Sequence, residues 1–549
     1  MKKTFLLFAV ISLLFFSNLN SFAQTPNWLW AHSAGAVGYE YGRSVVVDSL
    51  GNSYFAGDFG TTISFDATHT IVSAGSGDIF IVKYDPNGNV IWVKSAGGTD
   101  NEAAGGISID ATGNVFVAGY FKSATVNFGT TTLTNAGGNT YDIFVTKLDN
   151  NGNFLWAKGT GGTGDDRAYG IATDLTGNCF ITGYFVSTTV TFGSTAALTR
   201  TGPSEVYIAK YATDGTALWA KSSVSTGWVY SYAITVDLLG NAIIAGDFAG
   251  TQITFGSNVL VLDANRDIFV VKYASDGSIV WAKRAGTSGD NTAYAVAADT
   301  SGNVFVGGRF FTSITFGATT PLTSAGIADI FIVKYTADGT PLWAKSAGGS
   351  LEDIAKGITT DRLGYCYLAG FFKSASINFG FDTLTNAGTG TSDLFVTEFD
   401  PFGNVVWAKS AGSTGDEYIA SIAVDTLRNF FITGNFGSPT FELDTTTLYT
   451  AGTTDPFFAK ADNLAPSGIN EIAYPMNISV FPNPANDYIT FLIPEKAKIE
   501  ILNITGQVVR TTSTDGNAAT LDLRNLSSGV YILKATTNNG VVTKKFIKE

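Results

Sequence analysis

Carboxylates gather at one recurring place in this sequence. Glu40, Glu102, Asp165 with Asp166, Asp290, Glu352 with Asp353, and Asp416 with Glu417 each follow a tryptophan by nine or ten residues. Carboxylates that converge can hold a divalent cation through oxygen ligands, or act as a paired acid and base on a glycan. Held apart, they form a solvated acidic rim. One copy departs from this pattern: Gly227-Trp228-Val229-Tyr230-Ser231-Tyr232 sets aromatics where the others carry acids. An aromatic at a surface loop stacks on a sugar ring or anchors a protein partner. The candidate ligand-binding residues are therefore Trp228 and Tyr230, with the carboxylates Asp165, Asp166 and Asp290.

Other chemistry is thinly supplied. Only His32 and His69 occur, without a second histidine at ligand spacing, so neither a zinc site nor a Ser-His-Asp triad is expected. No catalytic residue is assigned, no cofactor is expected, and a divalent cation on the acidic loops is the one metal considered. A second acidic set, Asp48, Asp110, Asp174, Asp237, Asp299, Asp361 and Asp425, ends a short apolar run before a turn. An Asp there accepts N–H bonds from the turn backbone and needs no ligand to explain it. Cys179 and Cys366 stand at equivalent positions three repeats apart, beyond disulfide reach, and read as buried thiols.

The elements that place these residues are repeats. Trp30, Trp92, Trp156, Trp219, Trp281, Trp343 and Trp407 recur every 62 to 64 residues, mostly within WAKSAG. A second phrase, of Asp-Ile-Phe-Val-x-Lys type, begins at Asp78, Asp142, Glu205, Asp267, Asp329, Asp393 and Asp455. The array opens on a Trp phrase without its partner and closes on an Asp phrase without its Trp. A linear stack has no use for that permutation, whereas a ring does, because the first strand completes the last sheet. Each repeat reads as four antiparallel strands, one propeller blade, with Gly-Asn and Asn-Gly turns. Strands three and four each carry a lysine near their end, such as Lys147 and Lys158, expected at the outer rim where charge blocks edge pairing. A small hairpin keyed on Phe65, Phe128, Phe192, Phe255, Phe316, Phe379 and Phe441 is expected over one rim. The fold expected is all-β: a seven-bladed β-propeller closed by the strand at Trp28 to Ser33, followed by a small Ig-like β-sandwich.

Charge and termini bound the setting. Net charge is −13, and the stretch between the N-terminal leader and Pro475 holds 23 basic against 40 acidic residues, which disfavours nucleic acid as a partner. Lys2 and Lys3, the apolar run from Phe5 to Phe16, and Ser21-Phe22-Ala23 read as a signal peptide at residues 1–23. No later stretch is long and apolar enough to cross a bilayer, so the mature chain is expected to lack a transmembrane segment. The propeller spans 24–462, a linker 463–474 and a second domain 475–549.

The phrases Gly-Ile-Ala-x-Asp-x-x-Gly-Asn and Asp-Ile-Phe-Val-x-Lys-Tyr resemble the bacterial beta-propeller repeat family abbreviated SBBP, from about Trp28 to Asp462. That resemblance implies the fold and says little of activity. Val480-Phe-Pro-Asn-Pro-Ala485, Ile501-Leu-Asn-Ile-Thr-Gly506, Asp522-Leu-Arg-Asn-Leu526-Ser-Ser-Gly529-Val-Tyr531 and Lys544-Lys545-Phe-Ile-Lys548 resemble the C-terminal sorting domain of type IX secretion in Bacteroidetes. This implies passage through the periplasm, the outer-membrane translocon as partner, and a secreted or cell-surface protein. The function expected is a binding or scaffold module for a glycan or protein. The alternative is a polysaccharide-active enzyme using carboxylates on the acidic face.

Overall fold

The computed structural model describes residues 25–463 and 479–549, apart from 36, 264, 389, 482, 504–506 and 538–540. The leader and the linker of the sequence reading lie outside the described residues, apart from Asn463. The chain divides into two compact units, 1–464 and 465–549. Both are built of strands: no helix occurs among the described residues, and none is long and apolar enough to cross a membrane.

The first unit is all-β and propeller-like. It contains seven four-stranded antiparallel sheets. The first takes Glu40–Val47, Ser53–Phe59, Asp78–Tyr84 and Val90–Ala96 in that order. The next five repeat this plan. The seventh takes Glu417–Val424, Phe430–Phe436 and Asp455–Ala461, and its fourth place is filled by Trp28–Ser33 from the other end of the repeat array. Trp30 pairs with Lys460 and His32 with Phe458 in an antiparallel ladder. The first strand of every sheet packs beside the first strand of the next, and Glu417–Val424 packs back on Glu40–Val47. The succession of sheets therefore returns to its start.

Turn chemistry sets the strand lengths. Asp110 accepts N–H bonds from Thr112 and Asn114 at 2.9 and 3.0 Å, and Gly113 takes φ 81° to complete the hairpin. The same turn recurs with Asp48, Asp174, Asp237, Asp299, Asp361 and Asp425. Second and third strands are buried on both faces, because each sheet is covered by two neighbours. Cys179 and Cys366 are free thiols in this core. The expected hairpins are present, as in Thr125–Phe128 with Thr131–Thr134, and all seven of their Phe side chains are buried.

The third-strand lysines correct one expectation. Lys83, Lys147, Lys210, Lys272, Lys334 and Lys460 are buried, and each donates to a turn carbonyl of the next sheet instead of standing at the rim. The repeated tryptophans share these acceptors. Trp156 Nε1 and Lys147 Nζ donate to Thr213 O at 3.1 and 3.2 Å, and Trp281 and Lys272 to Ala337 O at 3.0 and 3.3 Å. Trp30 and Lys460 do the same to Pro86 O, joining the last sheet to the first. Strand alternation is blind to this role, since an aliphatic stem carries the ammonium away from its own strand.

The junction from the sixth sheet to the seventh breaks the pattern. Glu398 replaces the lysine, and Arg428, at φ 69°, replaces the turn glycine. Arg428 pairs with Glu398 and, at 2.7 Å, with Asp361, while Trp407 donates to Asn463 Oδ1 at 3.1 Å. Asn463 follows the seventh sheet's third strand, where the other sheets have a turn leading into their fourth.

In the C-terminal unit, Ser479–Phe481, Tyr488–Leu502, Val508–Asp522, Gly529–Thr536 and Val541–Lys548 form one five-stranded sheet. Its core includes Ile489, Phe491, Ile499, Ile501, Leu533 and Phe546.

Candidate functional site

Every first strand of the seven sheets carries a bulge at the same place. A bulge re-aims the extra side chain. The bulged residues are Arg43, Gly105, Tyr169, Tyr232, Tyr294, Lys356 and Ala420, and together they line a cavity of about 170 Å³ where the seven strands meet. Their backbone placement is repeated seven times, but their chemistry is not.

One register step nearer the loops, a second set of positions also varies. The cross-strand pairs there are Tyr41 with Asp58, Ala103 with Tyr120, Arg167 with Tyr184, Tyr230 with Asp247, Thr292 with Arg309, Ile354 with Phe371, and Tyr418 with Asn435. In the second to fourth sheets one member of each pair is aromatic, and rings at these positions and at the bulges touch in series. Centroids lie 6.3 Å apart for Trp228 and Tyr230, 6.0 Å for Tyr230 and Tyr232, 5.8 Å for Tyr232 and Tyr169, and 5.9 Å for Tyr169 and Tyr184. Tyr232 also meets Tyr294 at 5.3 Å. Stacked and tilted contacts of this kind add stability beyond area burial and hold the rings in place.

Cations sit on the ring faces. Arg167 lies 4.8 Å from the Tyr120 centroid and 4.2 Å from that of Tyr141, Arg266 lies 5.7 Å from Tyr230, and Lys356 lies 3.4 Å from Tyr294. Most of these cations also have acids. Arg43 pairs with Asp58 at 2.7 Å, Arg266 with Asp247, Arg309 with Glu352, and Arg167 with Asp165 at 3.7 Å. Burial pushes the Asp247 carboxyl up to about 6 even beside Arg266. Burial, reinforced by the charge of Arg309, lowers the Lys356 amine to about 8. The arrangement offers flat apolar faces, hydroxyls and held charges, which suits recognition of a small polar ring or a side chain.

The residues picked from sequence divide. Trp228 is 46% exposed and stacks on Tyr230, so both stand at this mouth. Asp165 accepts from Tyr141 N at 3.1 Å beside Arg167, and Asp290 is exposed near Arg266. Asp166 faces elsewhere. It is fully buried, and its oxygens accept from Val186 N, Ser187 N and Ser187 Oγ at 2.9, 3.0 and 2.6 Å. Glu102, Asp353 and Glu417 likewise bind the serine that follows the second strand of their sheet. The acidic loop set is thus two sets: buried clasps, and more accessible neighbours, the half-buried Asp165 and the exposed Asp290. Among the described residues no group of three or more His, Cys, Asp or Glu stands where it would hold a metal ion. His32 stacks against both Trp30 and Tyr84, and His69 pairs with Asp66.

Asp58, Tyr184, Asp247, Arg309 and Lys356 were missed from sequence. Each lies inside a strand whose neighbours are constant. The position after the second strand's glycine reads Asp58, Tyr120, Tyr184, Asp247, Arg309, Phe371 and Asn435, always followed by Phe. Comparing repeats position by position, not loop by loop, would have found it.

Comparison with known proteins gives the following. The chain is 24% identical over 500 residues to the uncharacterized WD repeat-containing protein L264 of Acanthamoeba polyphaga mimivirus, covering 74% of this chain and 36% of that protein. It is 26% identical over 176 residues to the regulatory protein FlaEY of Caulobacter vibrioides, covering 32% of this chain and 18% of that protein. This chain thus spans about a third or less of the length of these relatives. Among solved structures it is similar to PorZ, a surface component of the type IX secretion system of Porphyromonas gingivalis, at 13% identity and TM-score 0.24, covering 94% of this chain and 75% of PorZ. It is also similar to Sqt1 from Chaetomium thermophilum, at 9% identity and TM-score 0.38, covering 79% and 99%. Residues 479–549 match the model of the secretion system C-terminal sorting domain. The last part of the chain is accordingly a type IX secretion sorting domain, the signal that directs the protein to the cell surface or beyond it.

Proposed function

We propose that this chain is an exported binding module: a seven-bladed β-propeller at 24–462, closed by Trp28–Ser33, whose ligand sits at the aromatic mouth of the central cavity. The leader 1–23 starts export, the linker 463–474 separates the units, and 475–549 meets the type IX translocon. The C-terminal unit is read as an Ig-like sandwich, because the ladder between its two long strands is interrupted between Ile493 and Lys496, where one sheet can fold over itself. The observation that carries the binding reading is the broken symmetry of the mouth. Seven sheets keep the same backbone while the residues facing the cavity change from sheet to sheet, as a ligand without seven-fold symmetry requires.

The enzyme reading is weaker on one count. Asp58 and Asp247, the carboxylates inside the mouth, are each held by an arginine. A general acid and base working on a glycan need carboxylates free to exchange a proton. The test is a glycan array together with polysaccharide depolymerisation assays on the full secreted protein. Binding without product, weakened by Trp228→Ala, is expected. Turnover that Asp247→Asn abolishes would establish the enzyme instead.

A further inference from the structure

This inference rests on the binding reading and names the chemistry of the ligand. The ring of bulged residues is lopsided. Tyr169, Tyr232 and Tyr294 form one wall from three consecutive sheets, and Lys356 follows them on the next. Gly105 and Ala420, on either side of Arg43, leave the remaining arc open. Of the two cations on this ring, Arg43 is committed, donating from Nε to Asp58 Oδ1 at 2.7 Å and from a second nitrogen to Oδ2 at 3.3 Å.

Lys356 is different. Among the described residues it has no ion pair, and its ammonium rests 3.4 Å from the centroid of Tyr294. Glu352, the acid whose charge reaches it, is shared by Arg309 and by Lys373 at 3.6 Å. A half-buried ammonium over a ring face recovers part of its lost hydration, but it still has donors with no acceptor. An isolated cation in such a place is costly unless something negative arrives. The wall beside it offers flat phenol faces, which take the apolar face of a six-membered ring.

We propose that the cavity binds a carboxylate carried on a six-membered ring, with the carboxylate on the Lys356 ammonium and the ring against the tyrosine wall. A uronic acid residue and an aromatic carboxylate share this chemistry. Both fit a site that is charged at one edge and aromatic along the other.

Calorimetry on the full mature protein tests this with D-galacturonate, benzoate and the neutral sugar D-galactose. The carboxylate that fits is expected to bind more tightly than galactose by roughly ten-fold or more, the scale of a hydrogen bond to a charged group. The two carboxylates tell a sugar source from an aromatic one. Lys356→Met should remove that preference, and Lys356→Arg should restore part of it. The thermal midpoint of Lys356→Met should not fall, since the substitution removes a charge that has no partner. If neither galacturonate nor benzoate binds more tightly than galactose, or if the carboxylate that binds keeps its affinity in Lys356→Met, the inference is overturned. If a neutral glycan binds in a Trp228-dependent manner while neither carboxylate does, the inference fails and the binding reading stands. If neither carboxylate binds and no glycan binds in a Trp228-dependent manner, both fail.

Discussion

The junctions between sheets and the mouth of the cavity use the same repeat in opposite ways. At six junctions a Lys and a Trp reach the same carbonyl of the next sheet, and the side chains are copied along with the backbone. At the mouth only the backbone is copied. Each sheet meets an equivalent neighbour, so one packing solution serves all junctions and drift is penalised everywhere alike. The mouth faces solvent, and on the proposed reading a ligand, to which identical residues would offer seven equal weak sites. Constancy therefore marks what holds the molecule together, and under the proposed function variation marks what it binds.

The sharpest way to break the junctions is to open the ring. Deleting residues 25–34 removes the fourth strand of the seventh sheet, leaves Asp455–Ala461 as an open edge, and takes away the Trp30 bond to Pro86. The expected loss is on the order of 5 kcal/mol or more, beyond the range of ordinary point substitutions. Denaturant unfolding measures it. A midpoint close to that of the full chain would mean that the ring is held without its closing strand.

The exceptional junction sharpens the comparison next. Arg428→Gly restores the glycine of the repeat but strands Glu398, which is buried. Removing one partner of a buried ion pair costs about 3–5 kcal/mol. Glu398→Lys alone places two cations together and should also destabilise. The double variant Glu398→Lys with Arg428→Gly returns the residues found at the other junctions, with Asn463 Oδ1 as acceptor. It is expected to recover most of the loss. If the double variant costs the sum of the two singles, the charges are not exchanged across this junction.

Much of this architecture is legible in the sequence. The spacing of the tryptophans, the split repeat and the Asp-x-x-Gly-Asn turns fix strands and order because each is a local backbone demand. Lys147 was legible as a position but not as a role, since its acceptor Thr213 lies in the next repeat. The site was readable only where it interrupts a loop, at Trp228 and Tyr230. Asp165 and Asp166 are adjacent in sequence yet face different surroundings, one beside Arg167 and one sealed behind Ser187. Lys356 and Asp247 were hidden because a charged residue inside an apolar strand shows its importance only once the strands are placed around a common cavity.

A smaller effect also belongs to the junctions. Asp142 is pushed up to about 6 by burial, with the charge of Asp166 adding to it, and Glu417 up to about 7 by burial, with Asp393 adding to it. Burial likewise lifts Asp393 to about 6. These folded values exceed the roughly 4 of an unfolded carboxylate. Their contribution to stability is therefore fully present below that unfolded value and is lost as pH rises through 6 to 7. The thermal midpoint should fall by a few degrees between pH 5 and pH 8. Glu417→Gln should flatten the slope, because an amide stays neutral throughout. Asp110 and Asp174, whose turn bonds hold them below the usual carboxylate range, act in more acidic solution and leave this window clear. A midpoint that rises with pH would show that these junction acids are charged in the fold.

The smallest effect on stability should come from the mouth, and there the comparison is most exposed to refutation. Trp228 is 46% exposed, its contact with the mouth is the stack on Tyr230, and it belongs to no junction. Truncating such a residue changes folding stability by about 0.5 kcal/mol or less. If the ring anchors a ligand, Trp228→Ala should still cost roughly 1–3 kcal/mol of binding, the range for an aromatic contact residue at an interface. The two measurements must separate, with the unfolding midpoint nearly unchanged and affinity reduced at least several-fold. A junction residue of the same type gives the control. Trp407, buried and bonded to Asn463, should lose about 3–5 kcal/mol of stability on truncation to Ala. If Trp228→Ala unfolds the protein as Trp407→Ala does, the mouth is part of the frame, and variation among the repeats no longer points to a ligand.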